Sequence, residues 1–427
     1  MEISRRRMLQ VGMLGMAGAT TGALTACGSS STTSSSTKSE SLSLWYWGGG
    51  LSDKVVEAAI TQFPNAKLKT QKIDGDFRQK LVTTIAAGKF VPDITGIKGE
   101  DIASILPNAN KFVDLNTLGA DKLASQYLPW KWKQGSTSDG KLIGFPIDIG
   151  PTGMFYRKDM FAKAGLPTEP AEVGALVATW DGYFEVGAKI QKAYPKSFLI
   201  NNIGSIFQMI VGQGTKRFID ESNHFIGDQD HIRTAWDTAV KAMTLGVDAK
   251  INDESWKQAI GNGTLATEIG AAWHALDLSD AAPDTAGKWR VAANPGGPAN
   301  IGGSFLAIPK ASTDPKTAFQ ILTWILDPQN QAKGFTDAAL FPSSPATYKM
   351  PALTSGDAFF GGQVTIDVFS PQAEKIPIAY EAPADAAVSA PYFSALSGLE
   401  TSAKNADAAW ADAVSQAKQI AQRQGVS

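Results

Sequence analysis

The 427-residue chain has almost no cysteine, and its single thiol, Cys27, lies close to the N-terminus. Everything beyond it must hold together without a disulfide, which a body of this length can do by burying a large core. Histidine is nearly as scarce. His224, His231 and His274 are scattered, and with no further cysteine they offer no metal-ligating spacing. Charge is sparse and balanced, with 39 basic and 41 acidic side chains, which excludes bulk attraction to nucleic acid. No Gly-x-Ser-x-Gly elbow, His-Glu-x-x-His pair or Cys/His couple is present, so the commonest nucleophile and metalloenzyme signatures are missing. No short-period repeat is visible either, which excludes a solenoid.

What is present begins with the leader. Arg5, Arg6 and Arg7 precede an uncharged stretch from Met8 to Ala26, rich in Gly, Ala and Thr. A basic start, a weakly apolar middle and small residues before a cut site describe an export signal over residues 1–26. Leu24-Thr25-Ala26-Cys27 resembles the lipobox of bacterial lipoproteins, which implies that Cys27 is lipidated and becomes the first residue. Ser4 to Gln10 also resembles a twin-arginine signal, so twin-arginine and general secretory export both stay open. Residues 27–41 are nearly all Ser and Thr and read as a flexible tether. Loss of the leader leaves a net charge of about −4.

The body then alternates strand and helix. SLSLWYW ends in three glycines, and helices are expected over residues 51–63 and 76–87, with strands at AKLKTQKI and PDITGI. This order implies a parallel sheet with helices on its faces. A second α/β unit follows, with strands at GMFYRKD, SFLINN and LATEIGAAW and amphipathic helices from 180 and 231. Asp314-Pro315 and Asp327-Pro328 mark two helix starts, and one long helix is expected from about Leu399, with Trp410, Val414, Ala417 and Ala421 as its buried stripe.

Five stretches in this order resemble the solute-binding proteins of ATP-driven sugar importers, the extracellular family 1 group that includes maltose-binding protein. They are FRQKLVTTIAAGKFVPDI (77–94), DGKLIGFPIDIGPTGMFYRKDMFAKAGL (139–166), TWDGYFEVGAKI (179–190), GTLATEIGAAWHA (263–275) and GGSFLAIPKASTDPKTAFQILTWIL (302–326). The resemblance implies an α/β, two-lobe periplasmic-binding-protein-like fold with an inter-lobe hinge and a ligand cleft. It places lobe 1 at 42–146 and 303–342, and lobe 2 at 147–302 and 343–427. The implied function is capture of a sugar, an oligosaccharide in preference to a monosaccharide, and its delivery to the permease subunits of an ABC transporter. The protein is then expected to be a monomer held on the outer face of the cell membrane by Cys27, with no cofactor, no metal and no catalytic residue.

A sugar has apolar C–H faces and a rim of hydroxyls, so its site needs flat aromatic rings and in-plane acceptors. Trp47, at the end of the first strand, is expected in the cleft; Trp45 is expected in the core. Glu100 and Asp101 follow the strand PDITGI, where ligands of open α/β sheets sit; a helix N-cap is the competing role. Asp148, in the crossing segment PIDIG, needs partners among its apolar neighbours. Asn202 ends SFLINN, Phe207 is expected to form a wall, and Trp273 is the expected ring on the strand EIGAAWH. Gly303 and Ser304 offer backbone amides at the second crossing. The rival readings are an exported carbohydrate-active hydrolase, with Glu100 and Asp148 as its carboxylates, and a binder of another solute such as a polyamine.

Overall fold

The computed structural model describes residues 41–251, 253–402 and 404–427. The export signal, Cys27 and the tether up to residue 40 lie outside the described residues.

Among the described residues ten short strands organise the body: β1 (Ser43–Tyr46), β2 (Lys69–Lys72), β3 (Ile94–Lys98), β4 (Phe145–Pro146), β5 (Asp148–Ile149), β6 (Thr152–Arg157), β7 (Thr267–Ala271), β8 (Trp289–Ala293), β9 (Ser304–Ala307) and β10 (Phe341–Pro342). The first sheet has the order β2-β1-β3-β9-β4, with β1 parallel to both its neighbours and β9 antiparallel to β3 and β4. The expected parallel arrangement therefore holds for β1–β3. Alternation along each strand splits its side chains between two cores. Leu44, Tyr46, Ile94 and Leu306 face one core; Trp45, Ile97, Phe305 and Ala307 face the other.

The second sheet, β7-β6-β8, is wholly antiparallel. It is also buried on both faces. Met154, Tyr156 and Ile269 point into a large helical core, while Phe155, Val291 and Trp289 meet Phe341, Phe360 and Phe369 on the other side. That double burial is why GMFYR reads as an unbroken apolar run and not as an alternation.

Helix boundaries follow their caps. Asp76 accepts from the Gln79 amide, and Gly88, at φ 63°, closes Phe77–Ala87 in the left-handed region. Asp314 and Asp327 cap Pro315–Ile325 and Pro328–Ala338, each with proline in the first turn. Two expectations need correction. SFLINN makes only isolated parallel bridges, Phe198 to Leu265 and Ile200 to Asp248, because single backbone contacts there replace a continuous ladder. The C-terminal helix is two, Asp385–Thr401 and Ala406–Arg423, the second restarted by the Asn405 side chain. Its buried stripe consists of Ala409, Ala413, Ala417 and Ala421, small residues that admit close packing, while Trp410 packs edgewise on Trp236.

Two segments run side by side between the sheets. The Ile301 amide donates to the Gly150 carbonyl, the Gly150 amide to Asn300 Oδ1, and Pro151 bridges Asn300. A Cβ on Gly150 would lie 1.7 Å from the Ile301 oxygen, so only glycine fits. Nearby, β5 pairs with β10, setting Asp148 opposite Pro342.

Candidate functional site

The crossing segments gather most of the expected site. Gly302 and Gly303 both have positive φ, 76° and 77°, a conformation that favours glycine. A Cβ on Gly99 would strike the Gly303 oxygen at 2.1 Å, so the start of the helix Gly99–Ile105 abuts this turn. The site of a Gly302 Cβ is 3.8 Å from Trp273 Nε1. A Cβ on Gly303 would lie 2.7 Å from the Asp148 carbonyl. Ser304 follows, in register with Lys98. The turn 302–304 thus adjoins Trp273, Asp148 and the start of the helix bearing Glu100.

Trp47 stands just past β1, partly exposed. Its ring rests on backbone: added Cβ atoms on Gly50 and Gly96 would meet it at 2.6 Å. Phe77 packs against it edge-on at 5.0 Å, and Lys98 Nζ lies 5.6 Å over it. Trp45, by contrast, is buried. Trp273 is also partly exposed, but it sits beyond β7, at the turn before the helix His274–Ala281, and not on the strand.

Glu100 is exposed, and Asp101 lies 3.4 Å from Arg78. Neither caps the helix, whose N-cap position is Lys98. Burial and the Glu100 charge push the Asp101 carboxyl up to about 6, against the pull of Arg78 and Lys98.

Asp148 is buried, and its Oδ1 has no hydrogen-bond partner within the protein. Burial pushes its pKa up, opposed by Lys131 and by hydrogen bonds from Ser304. Lys131 is the residue that sequence reasoning missed. In Trp-Lys-Trp-Lys it looks like an exposed helix charge, yet it is fully buried. Its Nζ lies 3.8 Å from the centre of the Phe305 ring and donates to Gln134 Oε1 at 3.0 Å. Gln134 in turn donates to Glu381 Oε2 at 3.1 Å. Burial pulls the lysine pKa down, while Asp148, Glu381 and Glu100 act to hold its charge.

That chain of contacts leads to a cavity of about 680 Å³. On one side are Ile102, Leu106 and Gln134; on the other, Arg217, Tyr380 and Glu381. Its far wall is the irregular segment 376–383, in which Ile378 and Tyr380 remain exposed. No motif marked this wall; the only signal was an apolar run, IPIAY, without a period.

Two expected residues have other work. Phe207 is fully buried in the helical core, stacked on Tyr392 at 5.9 Å and edge-on to Phe393, because Ile203–Gln213 turns its Ile206–Phe207 face inward. It is a core residue and forms no cleft wall. Asn202 caps that helix, accepting from the Ser205 amide and donating to the Ile251 carbonyl.

The sequence profile of the bacterial extracellular solute-binding proteins matches residues 54–361. The chain belongs to that family. This solute-binding protein is 27% identical over 323 residues to the arabinooligosaccharide-binding protein of Bacillus subtilis (strain 168), covering 68% of this chain and 70% of the relative. It is 26% identical over 359 residues to the lactose-binding protein of Rhizobium radiobacter, covering 79% and 82%. A crystal structure of an extracellular solute-binding protein family 1 member superposes with a TM-score of 0.82 at 30% identity, over 89% of this chain and 99% of the other. The ABC transporter associated binding protein from B. animalis subsp. lactis Bl-04, in complex with beta-1,6-galactobiose, shares the fold at a TM-score of 0.69 and 22% identity, over 90% and 98%. The solute-binding protein therefore has the two-lobe α/β fold of periplasmic sugar-binding proteins, and its family consists of binding proteins.

Proposed function

We propose that the protein captures a neutral oligosaccharide between two lobes and delivers it to the permease of an ABC transporter. One observation carries the reading: two partly exposed tryptophans lie by the crossing, Trp273 beside Gly302 and Trp47 under Lys98, which is in register with Ser304, and Asn300 of the same crossing segment lines a cavity of about 680 Å³. Rings stack on sugar C–H faces, and the spare Oδ1 of Asp148 accepts a hydroxyl. Glu100 and Asp101 extend the acceptor set from lobe 1. Names of relatives that bind arabinooligosaccharide and lactose support a sugar. Lys133 and Arg217 offset Glu221 and Glu381 around the cavity, which favours an uncharged ligand over a polyamine.

In this reading lobe 1 comprises 42–146 and 303–342, and lobe 2 comprises 147–302 and 343–427, joined at Phe145–Ile149 and Gly297–Gly303. The lobes close on the ligand by bending there. The protein works as a monomer without a cofactor, tethered by lipidated Cys27 to the outer face of the cell membrane.

The test is a thermal-shift screen of arabino-, galacto-, malto- and xylo-oligosaccharides, followed by calorimetry and chromatography of the sugar. A raised melting temperature with unchanged sugar is expected. Sugar turnover would instead identify a hydrolase, and binding only of polyamines, weakened by salt, would replace the ligand class.

A further inference from the structure

Against the Trp273 ring packs a second assembly, anchored on a buried carboxylate. His274 stacks against the indole, with ring centres 4.2 Å apart and planes at 44°. Trp256 also meets it edge-on, at 6.5 Å. The imidazole Nδ1 is buried and lies 3.2 Å from Glu268 Oε1, an ion-pair contact and not an aligned hydrogen bond. Glu268 is itself buried on β7 and fixed by a 2.9 Å hydrogen bond from Trp256 Nε1 to its other oxygen. Space for the imidazole exists because residue 270 is glycine: a Cβ there would lie 2.6 Å from Nδ1. Glu268, Gly270 and His274 thus converge from one strand and one helix start onto a single ring.

We propose that His274 is a positioning residue for the ligand: clamped by Glu268 and Trp256, it backs the Trp273 indole and fixes the plane that ring offers to the cleft. The inference rests on the reading of Trp273 as a sugar-stacking residue. A partly exposed tryptophan beyond the end of a strand has freedom about two side-chain bonds. Ordering such a ring on binding costs affinity, and a ring held in place beforehand avoids that cost. Aromatic stacking of this kind contributes beyond the area it buries. Glu268, the anchor of the clamp, is buried, so its effect on a ligand runs through His274 and Trp273.

The test uses the full chain with nitrogen-labelled tryptophans. The Trp273 Nε1–H resonance is assigned by its absence in Trp273→Phe. In ligand-free protein, His274→Ala is expected to shift and broaden that resonance, while His274→Phe, which keeps a ring behind the indole, leaves it sharp. In titrations with lactose and arabinotriose, His274→Ala is expected to weaken binding about fivefold and His274→Phe less than twofold. An unmoved resonance in His274→Ala overturns the inference. So does a moved resonance with parental affinity when Trp273→Ala loses affinity. Parental affinity in Trp273→Ala is a separate failure, removing Trp273 from the site. If the parent binds neither sugar, the resonance decides alone.

Discussion

Trp47 and Trp273 are both partly exposed, yet they are supported by different means. Trp47 lies on main chain, where Gly50 and Gly96 leave room for the indole and Phe77 closes its edge. Trp273 has side chains behind it, with His274 held by Glu268 and Trp256. A ring on a glycine bed is as rigid as the sheet beneath it. A ring on a histidine depends on each contact in the relay. What the two share is the crossing: Lys98, over Trp47, is in register with Ser304, and Trp273 adjoins Gly302.

The shared floor is where the largest effect is expected. Lys131→Met removes the buried cation whose charge acts on Asp148 and leaves that carboxylate less compensated, at a cost on the order of 3 kcal/mol at pH 7, where the lysine is charged and the carboxyl ionised. Without the lysine the Asp148 pKa rises further, so the group takes up a proton more readily and the deficit shrinks at pH 5. Urea unfolding at the two pH values checks this. An equal loss at both would show that Lys131 acts by packing on Phe305 alone.

Next come the rings themselves. Trp273→Ala is expected to cost at least about tenfold in sugar affinity, equivalent to about 1.4 kcal/mol, and Trp47→Ala a similar amount, with the fold intact by circular dichroism. Calorimetry on the best ligand of the screen measures both. Parental affinity in either variant removes that ring from the site.

The glycine beds separate the two modes of support. Gly96→Ala would thrust a methyl to 2.6 Å from the Trp47 ring, and Gly270→Ala to the same distance from His274. The first should weaken binding about five- to tenfold by displacing Trp47 directly; the second should act about two- to fourfold, since the imidazole moves first and the indole follows. Equal losses would mean that the histidine transmits its displacement without slack.

Most of the scaffold was legible because local signals agreed. Asp76 with Gly88, Asp314 with Pro315 and Asp327 with Pro328 all cap helices where expected. The failures were contacts that no local rule encodes. SFLINN has strand-like residues but only single-bridge partners. Ser402, Lys404 and Asn405 interrupt a helical pattern without a proline. Phe207 and Trp273 are both large aromatic rings near element ends, and only packing tells that one is core and the other half-exposed. Lys131 was the hardest, because a lysine amid Trp-Lys-Trp-Lys reads as solvated until Phe305, Gln134 and Asp148 surround it. The 376–383 wall has no period for a sequence to display.

The smallest effect belongs to a site remote from both rings, and it serves as their control. Glu400, in the last turn of Asp385–Thr401, accepts from the Ile203 amide at 2.7 Å and lies near buried Asp248. Burial raises its pKa to about 7, and the neighbouring Asp248 adds to the shift. The folded state therefore keeps a proton that the unfolded chain releases near pH 4.5, so this group's contribution to stability falls as pH rises from about 4.5 to 7. Glutamine imitates the protonated acid: its oxygen accepts from Ile203, and it brings no charge beside Asp248. Glu400→Gln is expected to melt with the parent at pH 4.5 and a few degrees above it at pH 8, with sugar affinity unchanged. A variant that melts below the parent at pH 8 would show that the ionised carboxylate is the form the fold prefers, and a change in affinity would tie this distant carboxyl pair to the ligand after all.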